Sequence, residues 1–174
     1  MNTNYPIAAL HVLLRADCLL ARFAPLVPHR DALIAHLTAL GCRSRDDCLA
    51  LPDEALQPCL PDTVTLRLFR AFLRLYDVAP AKLRELTKAV HSPDELSACR
   101  ELYHLPGVRL TRALLYEHAG FHCLEDVARA TPEEIIARTS EVIRAEGLPC
   151  TPPLPKEART HIAVAKAFTG LPGD

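Results

Sequence analysis

The sequence predicts an all-α protein, and three observations predict it. Hydrophobic residues make up 49% of the 174 residues while aromatic residues make up only 5%, with no tryptophan. A core must then be built mostly from Leu, Ala, Val and Ile, and Leu and Ala lose little rotamer freedom in a helix. Apolar side chains recur three and four residues apart, and the alternation expected of a half-buried strand is nearly absent. Proline and glycine stand where helices start and stop, as at Pro80, Pro93 and Pro132 and at Gly41 and Gly120. With 24% charged residues the chain can build a core, and its length suits one compact domain or two very small ones.

A first helix is expected over about residues 6–23. Ile7, Leu10, Leu14 and Cys18 fall at helical spacing, and Leu13 and Leu20 widen the apolar face. So wide a face suits a buried helix or one packed against a second protomer. Pro25 and Pro28 end it, and a new helix runs from Arg30 to Leu40, where Gly41 stops it. After the polar turn at 42–47, Pro52 opens a short helix whose first turn carries Asp53 and Glu54, where carboxylates favour the helix dipole. Leu60-Pro61-Asp62 starts a longer one, with Leu66, Phe69, Phe72 and Leu73 on one face, to about Tyr76. Pro80 leads a helix to Val90. Ser92-Pro93-Asp94-Glu95 is a capping-box pattern, and Thr131-Pro132-Glu133-Glu134 repeats it.

The chain also echoes itself. With Gly41 aligned on Gly120, an offset of 79 residues, each glycine follows a helix of similar length. Leu26-Val27-Pro28 opens one helix and Leu105-Pro106-Gly107 the other. Asp47 matches Asp126, and Pro52-Asp53-Glu54 matches Pro132-Glu133-Glu134 after a one-residue slip. Leu60-Pro61-Asp62 matches Leu154-Pro155-Lys156, each opening a long helix, and the second copy is longer between these landmarks. Two degenerate copies of one helical unit explain the pattern, with chance similarity among common Leu, Ala and Pro residues as the competing explanation. Copies of this kind bury their apolar faces against each other, so one continuous body is expected.

Charge and cysteine usage limit the function. Twenty Lys and Arg are matched by twenty-one Asp and Glu, a net charge of −1. Phosphate neutralisation supplies most of the affinity of a dedicated nucleic-acid binder, so the balance argues against tight, nonspecific binding by the whole surface and leaves room for a local basic patch. Seven cysteines, at 18, 42, 48, 59, 99, 123 and 150, include no CxxC and are expected as reduced thiols of a cytoplasmic protein. The apolar run Ile7 to Leu14 is interrupted by Arg15 and Asp17, so neither a signal peptide nor a membrane span is expected. Nothing marks a nucleophile elbow, a phosphate-binding glycine loop or a set carboxylate pair, so no enzyme and no cofactor is expected.

The stretch from Leu102 to Glu134 carries the functional expectation. Leu102, Leu105-Pro106-Gly107-Val108, Ala113, Leu114 and Leu115 form a hairpin pattern: glycine where the backbone turns tightly, and a small alanine where two helices meet. This resembles the helix-hairpin-helix element of nucleic-acid-binding proteins. Residues 105–168 resemble, more widely, an uncharacterised bacterial family in which that element is followed by a glycine, an acidic turn, a capped helix and a proline-opened terminal helix. Here those parts are Ala119-Gly120, Leu124-Glu125-Asp126-Val127, Thr131-Pro132-Glu133-Glu134 and Leu154-Pro155-Lys156-Glu157 to Phe168. The resemblance implies two degenerate helix-hairpin-helix-like units, a divergent one at 26–77 and a fuller one at 104–174. A packing helix at 1–25 and connecting helices at 78–103 complete the chain.

The resemblance also implies a non-enzymatic binding module. Amides of Gly107, Val108 and Arg109 would hold a backbone phosphate of DNA, with Thr111 and Arg112 on the exposed side. Arg109 departs from the family's second glycine, and Val27-Pro28-His29-Arg30 in the first copy has no glycine at all. The alternative is a protein partner, with the hairpin only a structural corner. Glu117, His118, His122 and Cys123 are of types that zinc accepts, but Gly120 is expected to end the helix between the two histidines and deprive them of a common face, so no metal is expected.

Overall fold

A computed structural model describes residues 4–17, 19–60 and 62–171. It is all-α. Eleven α-helices among the described residues run in order as α1 (Leu10–Leu13), α2 (Arg30–Ala39), α3 (Arg45–Ala50), α4 (Asp53–Leu56), α5 (Thr63–Leu73), α6 (Pro80–Ala89), α7 (Pro93–Leu102), α8 (Leu110–His118), α9 (Leu124–Arg129), α10 (Pro132–Glu146) and α11 (Pro155–Thr169). The β-type pairing among those residues is a single antiparallel bridge, Pro6 to Ser44. No helix among them is long and apolar enough to cross a membrane. One hydrophobic cluster runs from Tyr5 to Ala167 and draws on both halves of the chain.

The offset of 79 residues recurs bond by bond. Cys42 donates its amide to Leu37 O at 3.0 Å, and Phe121 donates to Tyr116 O at 2.9 Å. Gly41 and Gly120, both left-handed at φ 80° and 83°, donate to Thr38 O and Glu117 O. Asp47 Oδ2 accepts from the amides of Arg43 and Ser44 at 2.8 and 2.9 Å, and Asp126 Oδ2 accepts from His122 and Cys123 at 2.8 and 3.2 Å. Both carboxylates stand in the first turn of a six-residue helix, Asp47 in α3 and Asp126 in α9. At the next junction Pro52 is the residue flanking α4, as Thr131 is for α10, so the register holds without the one-residue slip that the shared prolines suggest. Pro132 is the first helical residue, whereas Pro52 lies outside its helix in extended conformation. Beyond that point the copies part, α4 having four residues and α10 fifteen.

Two further expectations are corrected. The first helix ends after Leu13, and residues 14–17, 19 and 20 lie outside any helix. Arg15 and Asp17 form a two-pronged ion pair, at 2.7 and 3.0 Å, which residues two apart cannot make on a helix. Ala21–His29 is a 3-10 segment containing Pro25 and Pro28, which break the α-helical pattern by lacking the amide it needs. Cys18 lies outside the described residues. The reciprocal half of each expected capping box is also missing: Ser92 and Thr131 accept from Glu95 N and Glu134 N, but Glu95 turns to His118 and Glu134 to Arg138.

The few aromatics are concentrated where the halves meet. Phe23 packs on Phe72, Phe72 on Tyr76, and Tyr76 and Tyr5 both on Phe168 of α11, with ring centroids 5.2 to 6.1 Å apart. The six cysteines among the described residues are free thiols, and burial pushes Cys48 and Cys99 up to about 12, which keeps them inert. Gly120→Val tests the repeated stop. A built Cβ would meet only Arg138 Nη1, at 3.6 Å, so the cost is backbone strain at positive φ of about 1 kcal/mol or more. The melting temperature should fall clearly, and an unchanged melt would show that the stop is dispensable.

Candidate nucleic-acid interface

The hairpin lies between α7 and α8, which pack against each other. Leu102, Leu105, Val108 and Ala113 are buried and fill the crossing, as the spacing requires. Leu105 N donates to Leu102 O at 3.0 Å and Val108 N to Leu105 O at 3.2 Å, so the chain turns through two successive tight bends. Gly107 is exposed at the tip with φ +76°, a conformation that a β-carbon disfavours. Arg109 follows in extended conformation and flanks α8, and no side chain caps the first amides of that helix.

A buried histidine holds this corner in place. His161 of α11 lies 2.9 Å through Nε2 from Pro106 O, and 2.7 Å through Nδ1 from the Tyr116 hydroxyl. A carbonyl can only accept, so Nε2 carries the proton and Nδ1 accepts from tyrosine. Burial pushes the imidazole pKa down and favours that neutral form. Hairpin, α8 and α11 are thereby joined at one point. The sequence reading missed His161 and Tyr116, because their separation of 45 residues carries no local signal.

The five expected site residues separate into two groups. Gly107, Arg109 and Thr111 are exposed around the hairpin. Val108 buries its side chain and already uses its amide within the turn. Arg112 faces the protein: Nη1 donates to Thr151 O at 2.8 Å, and Nε lies 3.4 Å from Glu157 Oε1. It ties α8 to the proline-rich loop and to the start of α11.

His118 ends α8 with carboxylates from three helices around it. Nδ1 lies 3.1 Å from Glu146 of α10, and Nε2 lies 3.5 Å from Glu95 of α7 and 3.7 Å from Glu117 of α8. Glu95, Glu117 and His118 each offer a ligand atom within 4.8 Å of the others, a set of types a divalent cation accepts. Cys123 belongs instead to the start of α9, and His122 reaches Glu117 at 3.4 Å. Burial opposes charge on His118, but the hydrogen bond and charge of Glu146, with Glu117 and Glu95, outweigh it and raise the pKa. The stability this contributes is complete below the ordinary histidine value and is lost as pH rises through the raised one.

Comparisons with known protein families, with curated proteins and with solved structures find no match for this chain.

Proposed function

We propose that the protein is a non-enzymatic module that binds the phosphate backbone of DNA through the α7–α8 corner, in the manner of a helix-hairpin-helix element. The observation that carries this reading is the combination at one exposed tip of Gly107 at positive φ, an uncapped α8 N-terminus and Arg109. Helix-start amides and the dipole favour an anion there, and the guanidinium adds charge to it. Arg109, exposed beside the tip, replaces the family's second glycine with a cation able to add a contact to a phosphate held there.

The alternative is a structural corner in a protein-interaction domain. It is favoured by the engagement of Arg112 with Glu157 and Thr151, which removes one of the two cations expected at the site. Fluorescence anisotropy with single- and double-stranded DNA at low salt separates the two. Arg109→Glu should weaken DNA binding at least tenfold, about 1.4 kcal/mol, and leave the melting temperature in place. Parent affinity should fall steeply with added salt. Arg112→Glu, in contrast, sets a carboxylate against Glu157 and should lower the melting temperature. If the parent does not bind DNA, or if Arg109→Glu binds as the parent does, the protein-interaction reading replaces this one.

A further inference from the structure

A cleft of about 610 Å³ lies among α1, the α9–α10 junction and α11, and shares no residue with the hairpin. Its cations are Arg15, Lys156, Arg159 and Lys166, against a single lining carboxylate, Asp17. On a chain of net charge −1 this is a marked local concentration of positive charge. Lys156, Arg159 and Lys166 are spaced three and seven along α11, which sets them on one face with Thr160 and Ala163 between them. Arg15 reaches the opposite wall and pairs with Asp17 at 2.7 Å. No carboxylate among the described residues pairs with Lys156 or Arg159, and both are exposed.

The floor differs from the rim. Val12, Ile162 and Ala163 line it with apolar surface, and Pro132 stands at the start of α10. Thr131 caps that helix through the Glu134 amide and, with Pro132, forms part of the cleft wall, while Glu133 and Glu134 occupy the helix's first turn. Arginine offers a planar fork and lysine a mobile point charge, the pair of donors suited to several phosphate oxygens at once. Small-molecule sites run from about 300 to 1,000 Å³, and this volume falls among them.

We propose that this cleft binds a small organic phosphate of two or more negative charges, its phosphates among Lys156, Arg159 and Lys166 and its apolar part on Val12 and Ile162. The assignment is independent of the DNA-binding reading.

Isothermal titration calorimetry of the full chain tests it, with pyrophosphate and ATP as probes and sulfate as control at constant ionic strength. Pyrophosphate and ATP should each bind at least tenfold more tightly than sulfate. Lys156→Ala with Arg159→Ala should weaken both at least tenfold at an unchanged melting temperature, and Thr160→Glu, a single change that sets a carboxylate inside the cleft, should do the same. Arg109→Glu at the hairpin should leave both affinities as they are. Probes that bind no better than sulfate, or cleft variants that bind like the parent, overturn the assignment. Loss of pyrophosphate binding in Arg109→Glu overturns it too, because the phosphate would then sit at the hairpin. DNA binding lost in the cleft variants, with no binding of either small probe, would assign the cleft to nucleic acid instead.

Discussion

Arg45→Ala should lower the melting temperature by roughly 6–20 °C, the largest single-residue effect expected in this fold. Arg45 is only 1% exposed and is the first residue of α3. Its guanidinium donates to Leu73 O at the end of α5 and pairs with Asp77 at 2.5 Å and Asp46 at 3.2 Å. Removing it leaves a carbonyl and a part-buried carboxylate without their partner. Breaking such a pair costs about 3–5 kcal/mol, and a chain of this size loses about 2–4 °C per kcal/mol. Asp77→Asn attacks the same pair from the other side by neutralising the closer of the two carboxylates that face the buried guanidinium. Thermal denaturation followed by circular dichroism checks both. A shift below about 2 °C in each would show that Arg45 is held by packing alone.

His161→Ala should cost about 3 kcal/mol. It leaves Pro106 O and the Tyr116 hydroxyl unpaired, at about 1–3 kcal/mol for each buried group, and opens a cavity besides. The same histidine sets a pH dependence. His161 and His104 are both pushed down by burial, so below the unfolded histidine value of about 6.5 the unfolded chain binds more protons than the folded one. Their contribution to stability is therefore complete above pH 6.5 and is lost as pH falls toward the depressed folded values. Melting temperatures from pH 7 to pH 5 should decline in the parent and decline less in His161→Phe, which keeps the ring volume. Equal slopes in the two proteins would show that His161 is not the titrating group.

These two residues also mark what the sequence could and could not reveal. Several helix ends were legible because their causes are local: Gly41 and Gly120 stop helices, and the register of 79 residues follows from them and from the match of Asp47 to Asp126. The short helices α3 and α9 at those aspartates, in contrast, read only as polar turns. The buried Leu102, Leu105, Val108 and Ala113 were legible from the hairpin pattern around Pro106-Gly107. Contacts that depend on distant partners were not. Arg45 reads as part of a polar turn until Asp77, 32 residues on, makes its burial affordable. Arg112 reads as an exposed helix-start cation until Glu157 and Thr151 claim it. Glu95 follows the capping-box pattern, yet the tertiary charge of His118 draws its side chain away. Pro25 and Pro28 read as helix ends because sequence signals do not distinguish a break from a 3-10 path through the same residues.

A phosphate held by the hairpin backbone is reported directly by amide chemical shifts. A titration of the nitrogen-15-labelled chain with a short DNA duplex at low salt should move the amide resonances of Gly107, Arg109, Leu110 and Thr111 first and furthest. The Val108 amide, already bonded to Leu105 O, should move less. The corresponding amides of the first copy, at 29–32, should stay in place because that copy has Pro28 where the hairpin has its glycine. Shifts confined to other surfaces, or no shifts at DNA excess, would contradict the account and leave the α7–α8 hairpin a structural corner.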